Sequence, residues 1–180
     1  MERKRLIFRW EIISFFFVVI FGSMLHFVFE WSGRRIPLAL ISAVNESTWE
    51  HLKLAFFPTF FFSIIEYRFL KGRANNFILA KTVSLYVIPI SIVALFYLYL
   101  WILGHDSLFL DIAIFILSIG IGQFVSYKIL TYRKLPKTYE ICSLFFLFLI
   151  LLAFILLTYF PPHIEIFRDP IAGGFGIVER

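Results

Sequence analysis

Five stretches of this chain stay apolar for about 20 residues, the length a helix needs to cross the hydrocarbon of a bilayer. They run over residues 9–31, 49–70, 77–103, 108–132 and 139–160. With 61% hydrophobic and only 16% charged residues, the chain could not cover itself with a water-soluble surface. The expectation is all-α: a polytopic bundle of five transmembrane helices forming a single integral membrane domain over residues 1–180. Pro58 and Pro89 fall inside the second and third stretches, where they kink a membrane helix without ending it. Residues 36–44 are apolar but too short to cross, so they form an interfacial or re-entrant segment between the first two helices. The basic start Met1-Glu2-Arg3-Lys4-Arg5 before an apolar run imitates a signal peptide. The run is too long for that role and no small-residue cleavage site follows, so it reads as a retained first span. A lone cysteine, Cys142, excludes an intramolecular disulfide.

Lysine and arginine set the orientation. With the N-terminus inside, twelve of the 17 basic residues fall on the cytoplasmic side, and only Arg34, Arg35, Lys53, Arg168 and Arg180 fall outside. Trp31, Trp49 and Trp101 lie at the outer boundary, as an aromatic belt would. The expected localisation is the cell membrane, multi-pass, N-terminus cytoplasmic and C-terminus extracytoplasmic. The net charge of +5 sits at the ends of apolar runs, where it orients helices, and no nucleic-acid reading survives.

That orientation, chosen without reference to histidine, puts His26, His51, His105 and His163 on the outer side together with eight of the twelve acids. Ionisable groups at the edge of hydrocarbon are costly, so their collection at one face points to a site. His26 and Glu30 are four apart and share a helix face. Such a pair offers two metal ligands, or a carboxylate that orients an imidazole, or a histidine satisfied by its neighbour. In Asn45-Glu46-Ser47-Thr48-Trp49-Glu50-His51, Ser47 and Glu50 fit a capping box in which each side chain satisfies the other's backbone amide. Glu46 and Glu50 also favour the positive end of a helix dipole. Capping accounts for Ser47 and Glu50 but leaves His51 and Lys53 over, and a fixed first turn aims His51 rigidly.

Pro161-Pro162 ends the last span and stiffens the backbone before His163. The tail beyond, with Ile164, Ile166 and Asp169-Pro170, is too apolar for disorder and reads either as a lid folded over the outer face or as an interfacial anchor. His105-Asp106 is ordinary turn chemistry. Glu66, Lys81, Gln123 and Glu140 lie near the inner helix ends, where they snorkel or pair. The chain has no phosphate loop, His-Glu-x-x-His helix, Cys-x-x-Cys or Gly-x-Ser-x-Gly elbow.

Three patterns together resemble a family of small, uncharacterised prokaryotic integral membrane proteins. They are His26-x-x-x-Glu30-Trp31-Ser32-Gly33, Asn45-Glu46-Ser47-x-Trp49-Glu50-His51-x-Lys53, and Pro161-Pro162-His163 … Phe167-x-Asp169-Pro170. The likeness covers nearly the whole chain; it groups these residues and implies no reaction. A fainter likeness, on Asn45-Glu46 … His51 before a span, is to the seven-helix membrane hydrolases related to adiponectin receptors and ceramidases. Those hold a membrane-embedded zinc on histidines from separate helices. Five spans and the lack of a His-x-x-x-His pair limit that likeness to an analogy of chemistry.

Two functions compete. In the first, His26, Glu30, His51, His163 and Asp169 hold a divalent metal, zinc by preference, and Glu46 and Glu50 act as catalytic carboxylates of a membrane hydrolase for a lipid or small amphiphile. In the second, the protein is non-enzymatic, a partner-binding subunit or small transporter, and the polar cluster is structural capping. Transport would place ionisable groups near mid-membrane, where the spans are almost bare of them. Paired haem ligands need facing imidazoles deep in the bundle, and only His26 has any depth.

Overall fold

The computed structural model describes residues 1–177. The long apolar runs form five helices: α1 (Glu2–Trp31), α2 (Thr48–Leu70), α3 (Phe77–Leu103), α4 (Leu108–Thr131) and α5 (Lys137–Tyr159). Short 3-10 turns occupy Ile36–Leu40 and Glu165–Phe167. Among the described residues there is no strand, and one isolated bridge joins Arg168 to Phe175. Pro58 and Pro89 lie inside continuous α2 and α3. The residues expected to lie in the interface carry the first 3-10 turn and then a bent stretch up to α2, with Ala39, Ser42, Ala43 and Val44 buried.

α1, α2, α3 and α4 pack as a ring, each against the next and α4 against α1. α5 lies outside the ring on α3 and touches the first 3-10 turn. The core runs from Val18 on α1 through Leu52, Phe56 and Phe57 on α2 and Ile88 on α3 to Ile119 on α4, with Phe154 of α5 completing it. α2 is the central helix, with thirteen of its 23 residues buried against three of 23 in α5.

α1, α3, α4 and α5 are long and apolar enough to cross a membrane. α2 is outside that set, because Glu50, Lys53, Glu66 and Arg68 lower its apolar character; the first three are buried within the bundle. The outward faces carry the residues a lipid environment accepts, among them Phe16, Ile20, Phe124, Phe145 and Phe148. Trp31 and Trp101 are exposed at helix ends as a belt requires. Trp49 differs: its ring is turned inward, 4.9 Å from Phe154 and 4.8 Å from Phe167, so the second 3-10 turn is plugged onto the start of α2.

Two close features fix the ring. At Gly22, a Cβ would stand 2.3 Å from the Leu54 carbonyl oxygen, so α1 and α2 cross in backbone contact there. At the opposite end, Asn76 caps α3 from a left-handed conformation (φ 52°). Its amide nitrogen donates to the carbonyls of Ile129 and Arg133, and its side-chain oxygen accepts from the Leu135 amide. One side chain thus ties the start of α3 to the α4–α5 connection.

Candidate metal centre

The α1–α2 crossing at Gly22 decides what meets one turn further on. Gly22 and His26 are four apart on α1, and Leu54 and His51 three apart on α2, so both imidazoles project to the same level. Their Nε2 atoms are 3.2 Å apart. Glu46, on the bent stretch before α2, brings Oε2 to 3.6 Å from His26 Nε2 and 3.5 Å from His51 Nε2. The three side chains are 31–34% exposed, so the group is open on one side.

The polar stretch around this triangle is held at almost every atom. The Ser47 hydroxyl accepts from the Glu50 amide at 3.4 Å, the first half of the expected capping box. The second half is not formed. Glu50 turns inward, accepting from the Val44 amide at 3.0 Å and pairing with Lys53 Nζ at 2.5 Å. Lys53, fully buried, also donates to the Ala39 carbonyl at 2.6 Å and to Thr158 Oγ1 at 3.2 Å. This buried pair joins α2, the 3-10 turn and α5. Asn45 accepts from the Ser47 amide at 2.9 Å and donates to the Gly176 carbonyl at 2.7 Å, tying in the tail.

His51 is oriented by the same turn. Its Nδ1 lies 2.9 Å from the Ser47 carbonyl oxygen, which can only accept, so Nδ1 carries the proton. Nε2, which carries a lone pair when the ring is neutral, therefore faces His26 and Glu46. An imidazole fixed by a carbonyl on its far nitrogen is the usual arrangement of a metal-ligating histidine. Ligand atoms 2.0–2.1 Å from a tetrahedral zinc stand about 3.3 Å from one another. The observed triangle of 3.2, 3.5 and 3.6 Å has that size.

Three expected ligands lie elsewhere. Glu30 pairs with Arg34 at 2.6 Å, where the left-handed turn after α1 brings the chain back. The exposed His163 ring lies against Phe175, 4.6 Å between centroids. Asp169 is buried but spent on its own turn, accepting from the amides of Ile171 and Ala172. His105, in the α3–α4 connection, is exposed and faces its neighbour's carbonyl. Among the described residues, the group whose ligand atoms all lie within 4.8 Å of one another is His26, Glu46 and His51.

Two features escaped the reading of the sequence. One is the contact of Asp111, in the first turn of α4, with Tyr99 of α3, whose hydroxyl donates to it. At the far end of the bundle, Lys81 pairs with Glu11 at 2.8 Å and Glu66 at 2.7 Å, all three buried. Lys81 and Glu66 are therefore paired inward, without snorkelling, and Glu11 had drawn no notice. Spacing along one helix could not have found either group, because each is assembled from different helices.

The model of a family of unknown function, DUF6512, matches residues 1–177. No curated protein and no solved structure matches the chain.

Proposed function

The chain belongs to the DUF6512 family of unknown function, and from that premise we propose a membrane protein with a divalent-metal site of His26, Glu46 and His51, zinc by preference. The observation that carries the proposal is the triangle of ligand atoms, sized for a tetrahedral ion and open on one side. Five helices cross the bilayer in this reading, α2 among them, because Glu50, Lys53 and Glu66 are buried within the bundle and Arg68 lies at the helix end. In the same reading the N-terminus is cytoplasmic and the metal site and C-terminus are extracytoplasmic, an orientation supported by the distribution of lysine and arginine.

The favoured activity is hydrolysis of a lipid or small amphiphile at the outer membrane face. Zinc with three protein ligands and an open position ionises water near pH 7, at about the pH of its surroundings. His51 presents a lone pair fixed by the Ser47 carbonyl, and Glu46 is placed either to ligate or to take a proton. Glu50 serves by position: its pairing with Lys53 holds the turn from which Glu46 and His51 project. A second, non-enzymatic reading draws on the full satisfaction of Asn45, Ser47, Glu50 and Lys53, which makes the stretch a structural joint between α2, the 3-10 turn and the tail. Metal analysis of protein purified without a histidine tag decides between them. One zinc per chain, lost in H26A, H51A and E46A, is the expected result; a metal-free wild type that binds no added zinc leaves the joint as the function of the stretch.

A further inference from the structure

The second polar cluster lies at the other end of the bundle and is independent of the histidine site. Glu11 from α1, Glu66 from α2 and Lys81 from α3 meet in the interior, and Ser126 from α4 donates to Glu11 Oε1 at 2.8 Å. All four helices of the ring therefore contribute. Glu11 is 3% exposed, Glu66 0% and Lys81 5%, so water does not screen the group.

The charges do not balance. Two carboxylates, 2.8 and 2.7 Å from one ammonium, leave an excess negative charge in a dry interior. The charged groups acting on Glu66 are Lys81 and Glu11, and α4 contributes the neutral Ser126 and Gln123. The hydrogen bonds do not close either. Glu66 Oε2 is taken up by Lys81, but Glu66 Oε1 and Glu11 Oε2 are buried with no hydrogen-bond partner. Gln123, 4% exposed, donates its amide to Ser14, one turn from Glu11, and leaves its side-chain oxygen unpartnered. Ser84, fully buried one turn from Lys81, has a free hydroxyl. Buried oxygens left open in this way mark a missing partner.

We propose that this cluster holds one exchangeable monovalent cation, a proton or a sodium ion, between Glu66 and the free oxygen of Glu11. One positive charge brings two carboxylates and an ammonium to neutrality, whereas a divalent ion would overshoot. The open atoms are all oxygens, which suits a hard cation and disfavours a transition metal. Glu66 is the principal seat, because Glu11 Oε1 already accepts from Lys81 and Ser126.

The test uses the full chain in lipid nanodiscs. A bound proton gives a protonated-carboxyl stretch in the infrared at neutral pH that shifts in D2O and disappears in E66Q. A bound sodium ion gives no such band; instead, melting temperature rises with sodium chloride but not with choline chloride, and E66Q abolishes the rise. E66D keeps a carboxyl and covers the case in which E66Q fails to accumulate: the band moves in frequency, or the sodium response changes in affinity. A wild type with neither signal, or a signal that survives E66Q unchanged, overturns the proposal.

Discussion

Adding one methyl group at Gly22 should loosen a metal site it does not touch. The new Cβ would lie 2.3 Å from the Leu54 carbonyl oxygen and 2.8 Å from Phe115 Cζ. A phenyl ring can swing aside, but a helix carbonyl cannot, so α1 and α2 must part by about 1 Å to restore ordinary contact. The stability cost of such overpacking is about 1–3 kcal/mol. His26 is one turn from Gly22, and its Nε2 now stands 3.2 Å from that of His51. Metal sites tolerate ligand shifts of about 0.2 Å, so a 1 Å parting should weaken zinc by about 10- to 100-fold. G120A is the control: its Cβ would meet nothing nearer than Phe15 at 3.7 Å, and a glycine removed from a helix interior stabilises by about 0.5–1 kcal/mol. Competition with a chromophoric chelator, alongside thermal melts in nanodiscs, reads both quantities. A G22A protein that melts with the wild type and keeps its zinc affinity would refute the idea that the crossing sets the site.

Other outcomes follow from the same geometry. K53M leaves the Glu50 carboxylate buried without its partner and should cost about 3–5 kcal/mol in unfolding free energy; the double variant K53M/E50Q should recover part of that, and no recovery would mean the pair is not the cause. H163A should keep full zinc stoichiometry while H51A loses it, because His163 lies on Phe175; equal losses in metal analysis would put His163 back among the ligands. Reporter fusions after Arg73 and Lys137 should read cytoplasmic and one after Arg180 extracytoplasmic; an inside reading for the last would remove the outer-face assignment. Cys142 is exposed on the apolar α5, so a lipid-soluble maleimide should label it rapidly and a water-soluble one slowly; the reverse order would demand an aqueous path along α5.

The five helices were legible because apolar length is read directly from the sequence, and the stretch from Asn45 to His51 was legible because seven successive residues are polar or aromatic where apolar ones are expected. Contacts between helices were not legible. Glu50 satisfies the spacing of a capping box, yet a lysine three residues on and a buried amide at Val44 compete better for its carboxylate. Glu30 stands one turn from His26 but is reached first by Arg34, which the turn at Gly33 and Arg34 swings back toward it. Asp169 is consumed by local amides, a habit of aspartate before proline that competes with any distant role. Glu11, Glu66 and Lys81 sit on three helices, and no periodicity within one segment brings them together.

The polarity enclosed along α2 bears on how the chain enters a bilayer. A charged residue near the middle of a segment opposes its partition from the translocon by about 2.5–3.5 kcal/mol. α2 carries Glu50, Lys53 and Glu66, and their partners outside α2 are supplied by α3, α5 and the stretch before α2. Such a segment gains little by moving into lipid alone. It is expected to wait beside α1 until α3 has been synthesised and to enter with it, so that truncation before Phe77 leaves α2 on the aqueous side and extension past Lys81 draws it in. Order of synthesis would then be part of the topology.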